Sequence, residues 1–396
     1  MTRATRGFRL HVGLLGRRNV GKSSLINALA RQDVAIVSPT PGTTTDPVSK
    51  PMEIQPLGPV VFIDTAGLDD PGALGALRVA RTRRMLDRLD VALLVAAGRA
   101  WDEREESLLA DLRGRGTPVI AVFNQSDKAA PDPALLAVLR ARGVPCVSCS
   151  ALRGDGLDDL RAALTAAAPD RLEDPALLRD LVPAGGTCVL VVPIDAEAPK
   201  GRLILPQVHA LRDLLDGHAV AVVCRETELA GALANLRRPP DLVVTDSQAF
   251  REVAAVVPDS VPLTGFSVLM ARLRGDLTAQ TAGARVIGEL RPGDRVLVAE
   301  ACSHHPVQDD IGRVKLPRWL DEAAGGPLRY TTVQGHDFPD DLTDYRLVVH
   351  CGACTLNRSE VRRRLERCAE AGVPVTNYGL AIAWRMGILE RATAMF

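Results

Sequence analysis

Aromatic side chains are rare in this chain. Phe, Tyr and Trp together make up 3% of its 396 residues, so its cores must be built from Leu, Val, Ala and Ile. Net charge is absent as well, with 48 basic residues against 48 acidic ones. That balance argues against a chain-wide basic surface for nucleic acid, although it leaves room for a local patch. The C-terminal half also lacks the basic–aromatic clusters that single-stranded RNA readers use. No apolar run approaches a membrane span. Residues 1–15 carry a few arginines and a short apolar run ended by Gly16-Arg17-Arg18, which is not the shape of a secretion signal. A cytoplasmic protein is expected, with no membrane partner and nucleic acid an unfavoured one. No nicotinamide or flavin fingerprint is present, which disfavours a redox enzyme of that kind. The length calls for two or three domains.

Cysteine is plentiful by comparison: Cys146, Cys149, Cys188, Cys224, Cys302, Cys351, Cys354 and Cys368. In a cytosolic chain of this size, clustered cysteines point to metal rather than disulfides. Cys188 and Cys224 lie inside apolar strand-like runs and read as core residues. Cys146 and Cys149 form a Cys-x-x-Cys flanking a strand end, and a structural reading is preferred for them. The remaining cluster is different. Cys302-Ser303-His304 and His350-Cys351-Gly352-Ala353-Cys354 each follow a short apolar run, Arg295–Ala301 and Tyr345–Val349. Both runs read as buried parallel strands, whose carboxyl ends are where sites form. Three thiolates with an exchangeable fourth ligand suit a four-iron cluster. With a histidine added, the same set suits structural zinc. His304 and His350 are the imidazole candidates, and His305, held by Pro306, is the weaker one.

Near the N-terminus a strand, His11–Leu15, runs into Gly16-Arg-Arg-Asn-Val-Gly21-Lys22-Ser23 and then a helix. This is the phosphate-binding GxxxxGKS loop in its required context. Its glycines let backbone amides close on phosphate oxygens, Lys22 reaches the terminal phosphates, and Ser23 ligates magnesium. Strand Val60–Ile63 ends in Asp64-Thr-Ala-Gly67, where Asp64 would hold magnesium through water and the Gly67 amide would sense the terminal phosphate. Strand Val119–Phe123 ends in Asn124-Gln125-Ser126-Asp127, and strand Pro145–Ser148 is followed by Ser150-Ala151. Segments near 73–88, 102–114, 132–142 and 155–168 read as helices. The alternation predicts an α/β, doubly wound parallel sheet over residues 8–170.

These elements resemble the small GTPases, in which an aspartate accepts two hydrogen bonds from guanine. By that resemblance Asp127 selects guanine. Gln125 stands where the family places a lysine over the base, so it can cover the ring but brings no charge. The loop Pro41-Gly-Thr43-Thr44-Thr45-Asp46 resembles switch I of the Era/TrmE-like GTPases. It assigns a magnesium and γ-phosphate contact to Thr44, with Thr43 as the alternative. Leu68 follows Gly67 where Ras-like enzymes carry a water-orienting glutamine. The TrmE-like relatives compensate with potassium held partly by a loop asparagine, here Asn19, so slow potassium-stimulated GTP hydrolysis is expected. The catalytic set is then Lys22, Thr44, Asp64 and Gly67. The GTP-binding set adds Gly16, Arg17, Asn19, Val20, Gly21, Ser23, Ser24, Asn124, Asp127, Ser150 and Ala151, with magnesium on Ser23, Thr44 and Asp64.

A linker over 166–174 precedes a second alternation, with strands Cys188–Pro193, Ala219–Cys224, Leu242–Thr245 and Val261–Leu263. This α/β unit, 171–265, shows no catalytic set, and its Asp195, Lys200, Arg202, Glu226 and Asp246 fall at strand ends and loops; an association role, dimerisation, is expected. The third unit, 266–396, opens with a helical pattern at Ser267–Ala279. It then carries the strands Arg295–Ala301, Tyr330–Val333, Tyr345–Val349 and Val373–Thr376, with the cysteine cluster between them.

The whole chain resembles the HydF family, the maturation GTPases and scaffolds of FeFe-hydrogenase. A TrmE-like GTPase, a middle α/β unit and CxH followed at long range by HCxxC carry the resemblance. So do Pro41–Pro47 and the segment Val192-Pro-Ile-Asp-Ala-Glu-Ala-Pro-Lys-Gly-Arg-Leu-Ile-Leu-Pro-Gln207. It implies a homodimer and a 4Fe-4S cluster on Cys302, Cys351 and Cys354, with the fourth position open, exchangeable or held by His304 or His350. It also implies a transient di-iron subcluster precursor, made with two radical-SAM maturases and delivered to apo FeFe-hydrogenase. The competing expectation is a tRNA- or ribosome-associated GTPase whose C-terminal cysteines hold structural zinc.

Overall fold

The computed structural model describes residues 9–30, 48–55, 57–64, 85–168, 176–194, 203–301 and 311–396. The chain divides into two compact units, Met1–Asp174 and Pro175–Phe396.

The first unit is built on six strands: β1 (Leu10–Leu15), β2 (Val48–Ile54), β3 (Gly58–Asp64), β4 (Val91–Ala97), β5 (Val119–Asn124) and β6 (Cys146–Ser148), in the order β2-β3-β1-β4-β5-β6. Every residue of β1 is buried, as a strand covered on both faces requires. Its alternate side chains divide between the two cores. Leu10, Val12 and Leu14 pack with Leu25, Phe62 and Leu164, while Leu15 packs with Ile63, Leu94 and Phe123. Each such side chain contributes roughly 1.5–3 kcal/mol by leaving water. The helix Glu103–Gly114 starts at a capping box: Asp102 accepts from the Arg104 amide, and Glu105 accepts from the Asp102 amide.

The expected all-parallel sheet needs one correction. β2 runs antiparallel to β3, with Pro51 opposite Val61. The sequence VSKPMEI does not read as a strand because of its proline. An edge strand accommodates proline, since one side of its backbone has no ladder to join. The expected helix at 73–88 falls largely outside the described residues.

The second unit contains two four-stranded parallel sheets. The first has β7 (Thr187–Val191), β8 (Val220–Cys224), β9 (Leu242–Thr245) and β10 (Leu263–Gly265), ordered β10-β9-β7-β8. The second has β11 (Arg295–Glu300), β12 (Arg329–Gln334), β13 (Leu347–His350) and β14 (Val375–Asn377), ordered β12-β11-β13-β14. β10 passes directly into the helix Phe266–Arg274, and Thr264 Oγ1 donates to the Ala392 carbonyl at 2.8 Å. The continuous helix read at Ser267–Ala279 is in fact two, Phe266–Arg274 and Leu277–Arg285. Gly275 ends the first, and Asp276 caps the second through the Ala279 amide at 2.9 Å. Gly283 lets that second helix lie against β14: a Cβ there would stand 2.1 Å from the Val375 carbonyl oxygen. Among the described residues no helix is long and apolar enough to cross a membrane.

Candidate functional site

In the first unit, β1, β3, β5 and β6 share one direction. Their carboxyl ends therefore bring the loops after Leu15, Asp64, Asn124 and Ser148 to one edge of the sheet. Gly16 has φ +141°, and a Cβ on it would sit 2.1 Å from the Val95 carbonyl; only glycine fits that approach. Gly21 has φ +88° and abuts the Asn124 amide in the same way. The loop closes on itself through Lys22, which is buried. Its Nζ donates to the carbonyls of Gly16 at 2.7 Å and Arg17 at 2.8 Å. A cation held this way points into the loop from which phosphate would draw it.

Ser23 Oγ donates to Asp64 Oδ2 at 2.8 Å, so the two expected magnesium oxygens already converge. Burial raises the Asp64 carboxyl above its usual range, against the pull of Ser23, Lys22 and Lys50. Arg17 is held by a fork to Glu105 (2.8 and 2.7 Å) and a contact to Asp102. Asn19 has φ +62° and is exposed at the loop tip, while Val20 is buried beneath it. Ser24 occupies the first turn of the following helix.

The base side is tied to the phosphate side by Asn124. Its Nδ2 donates to the Val20 carbonyl at 2.9 Å, and its Oδ1 accepts from the Ala151 amide at 3.0 Å. Gln125, at φ +59°, donates to the Asn19 carbonyl at 3.0 Å. Ser150 Oγ donates to Asp127 Oδ1 at 2.6 Å, a bond that lowers the aspartate's pKa and keeps it a charged acceptor. Cys149 is fully buried, and burial pushes its thiol up to about 12.

In the second unit, β11 and β13 are adjacent and parallel, with Ala299 opposite His350. Pairing continues one residue beyond β13, where the Cys351 amide donates to the Ala299 carbonyl at 2.9 Å. Ala353 then turns the chain at φ +50°, an uncommon value for a residue with a Cβ. Within this turn Cys351 Sγ accepts from the amides of Ala301 (3.0 Å) and Ala353 (3.4 Å), and Thr355 Oγ1 donates to the Ala301 carbonyl at 2.9 Å. Cys351 and Cys354 are half-buried. Ala301, Ala353, Leu356 and Val361 form a small apolar floor beneath them.

His350 is buried. Its Nδ1 donates to the Cys351 carbonyl at 3.0 Å, while Nε2 accepts from Arg364 at 3.1 Å. Burial first, and then the Arg364 charge, hold its pKa down to about 4, so the ring is neutral at physiological pH. With both ring nitrogens engaged, His350 has no lone pair to offer a metal in this arrangement. Ligation by His350 would require the Arg364 bond to be exchanged for the metal. Arg364 in turn bonds Glu360 and the Gly335 carbonyl, both at 2.8 Å, and Glu360 also takes His336 at 3.0 Å.

Three family descriptions match the chain: a 50S ribosome-binding GTPase over residues 11–125, the hydrogen maturase F dimerization domain over 177–275, and the hydrogen maturase F tetramerization domain over 278–395. The chain belongs to the HydF family of hydrogenase-maturation GTPases. Its N-terminal unit is a GTPase domain. Relatives of that unit include the tRNA modification GTPase MnmE of Bordetella petrii, 43% identical over 161 residues, which are 40% of this chain and 34% of the relative. The MnmE of Synechococcus sp. is 41% identical over 157 residues, 39% of this chain and 32% of the relative. The chain thus spans about a third of the length of these curated relatives. Among solved structures, the G domain of the T. maritima FeoB iron transporter is 25% identical, covers 40% of this chain and 99% of its own, and has a TM-score of 0.30.

For this HydF-family chain, the expected Thr43, Thr44, Gly67 and Leu68 lie outside the described residues, as do Cys302, His304 and His305. Among the described residues, no three His, Cys, Asp or Glu side chains gather as a metal-holding group. Two site residues escaped the sequence reading altogether: Arg274 and Arg364, both buried. Each is an arginine near the end or middle of an ordinary amphipathic helix, and no local motif marks it.

Proposed function

We propose that this HydF-family chain is a GTP-regulated carrier for an iron–sulfur assembly, with the division of labour 8–170 GTPase, 171–265 dimerisation and 266–396 cluster binding. In the first part, Gly16, Arg17, Asn19, Val20, Gly21, Lys22, Ser23 and Ser24 cradle the phosphates. Asn124, Asp127, Ser150 and Ala151 hold guanine. Ser23, Thr44 and Asp64 would hold magnesium, which when bound offsets charge developing on the phosphoryl oxygens, and the Gly67 amide reads the terminal phosphate. Asn19 would help hold potassium in place of the missing water-orienting glutamine. Equal turnover in sodium and potassium would sink that assignment.

In the third part, Cys302, Cys351 and Cys354 would hold a 4Fe-4S cluster. The observation that carries this is the 3.0 Å bond from the Ala301 amide to Cys351 Sγ, which sets the residue preceding Cys302 against the Cys-x-x-Cys turn. Two amides aimed at one sulfur fit a thiolate that ligates a cluster. The fourth position is open, exchangeable or taken by His304 or His350. The cargo is a di-iron subcluster precursor, built with two radical-SAM maturases and passed to apo FeFe-hydrogenase in the cytoplasm. Association as a homodimer is supported by the dimerization-domain match and by β8. That strand lies at the edge of its sheet, with Val220 and Val223 about half exposed (52% and 46%) and Leu215 nearby at 64%. Exposed apolar side chains on an unpaired strand edge call for a partner.

Anaerobic reconstitution with iron and sulfide, followed by metal analysis and EPR of the reduced protein, tests the central reading. Wild type should give a reduced four-iron signal that Cys302→Ala and Cys354→Ala lose. Stoichiometric zinc without a cluster signal would favour the alternative, a tRNA- or ribosome-associated GTPase. The MnmE relatives of the first unit support that reading for 40% of the chain.

A further inference from the structure

The Cys-x-x-Cys turn is gripped from outside its own sheet. Arg274, the last residue of the helix Phe266–Arg274, is 3% exposed. Its Nη1 donates to the carbonyl of Ala353 and, at 2.6 Å, to that of Leu356. Ala353 is the residue whose φ of +50° turns the chain between the two cysteines, and its amide is one of the two donors to Cys351 Sγ. A left-handed alanine is strained and persists only where surrounding groups hold it. Pulling the Ala353 carbonyl toward Arg274 fixes the peptide that follows Ala353. Together with the Leu356 bond, it pins both ends of the segment carrying Cys354. The guanidinium suits this task, because Nη1 donates to both carbonyls through N–H bonds held in the guanidinium plane, whereas an ammonium rotates on a flexible stem.

We infer that Arg274 is a positioning residue for the cluster. It holds the Cys351–Cys354 turn in its left-handed form and so maintains the amide-to-sulfur bond at Cys351 that sets the cluster's reduction potential. The inference rests on the cluster reading proposed above. Hydrogen bonds to a ligating sulfur stabilise the more negative, reduced cluster and raise its potential. Loosening the turn should therefore lower it.

The test compares full-length wild type, Arg274→Lys and Arg274→Met after anaerobic reconstitution. It reads iron per chain, the cluster midpoint by EPR-monitored redox titration, and apo-protein thermal unfolding. Arg274→Lys keeps the buried charge and should fold; it is expected to load iron, with a midpoint shifted to lower potential and a broadened EPR signal. Arg274→Met is expected to show the larger shift and several-fold faster iron loss to a chelator. A purely structural arginine would lower thermal stability but leave the midpoint and line shape of loaded protein at wild-type values in Arg274→Lys, and that result overturns the inference. If Arg274→Met does not fold, Arg274→Lys alone decides. Wild type that binds no cluster would instead sink the cluster reading itself.

Discussion

The phosphate loop of the first unit and the thiolate turn of the second occupy equivalent places, each just beyond the carboxyl end of a parallel strand, but they are held in opposite ways. The loop is closed first by its own residues. Lys22 bonds the carbonyls of Gly16 and Arg17, only a few residues back, and two glycines adopt conformations that other residues resist. The turn is organised by remote groups: the Ala301 amide on Cys351 from the neighbouring strand, and Arg274 on Ala353 from a helix 79 residues earlier in the chain. A loop closed by its own lysine can be read from a short motif, although Asn124 and Gln125 also bond it from the end of β5. A turn held from outside depends on the whole unit, which suits a site whose ligand geometry must be tuned rather than merely formed.

Native thiol labelling of the apo protein gives the widest expected contrast. The Cys149 and Cys368 thiols, pushed up to about 12 by burial, stay protonated from pH 7 to 9. They should react roughly 10³-fold more slowly at pH 8 than a thiol of ordinary pKa near 8.5, before burial slows them further. Mass spectrometry should find the label on the half-buried Cys351 and Cys354. Equal labelling of Cys149 would erase the distinction between the two Cys-x-x-Cys segments.

Next in size, Lys22→Ala should reduce GTP hydrolysis by about 10²-fold or more, through loss of a preorganised positive group at the phosphates. Iron per chain after reconstitution should not change. A parallel loss of iron would show that the loop and the turn are not independently built.

Asp127→Asn removes the charged acceptor for guanine and should weaken GTP by about 1.5–3 kcal/mol, roughly 10- to 150-fold. Calorimetry should show partial recovery with xanthosine triphosphate, whose base offers an acceptor where guanine has a donor. The smallest effect belongs to Gln125→Lys. A lysine there restores charge over the base face and should tighten GTP by about 0.5–1 kcal/mol, a few-fold. Weaker binding would mean that the 3.0 Å bond from Gln125 to Asn19 matters more than the missing charge.

Much was legible from residues alone. The strand–loop–helix at 10–30, the Asp64 and Asn124–Asp127 strand ends, and the parallel strands carrying the cysteine motifs all depend on neighbours within about one element, so their chemistry is written in consecutive positions. Continuous apolar runs identify buried parallel strands because both faces need cover. Four things were decided only in three dimensions. β2 joined the sheet antiparallel despite Pro51, since an edge position does not need every amide. The helix read at 267–279 broke at Gly275, where Asp276 offers a cap. His350, which spacing alone offered as a ligand, became a neutral buried ring bonded at both nitrogens, and Arg274 and Arg364 took up positions that no motif predicts. Sequence determines which groups can do chemistry. It does not show which of them a distant arginine has already engaged, because the low-dielectric interior that makes such a bond obligatory exists only once the unit has folded.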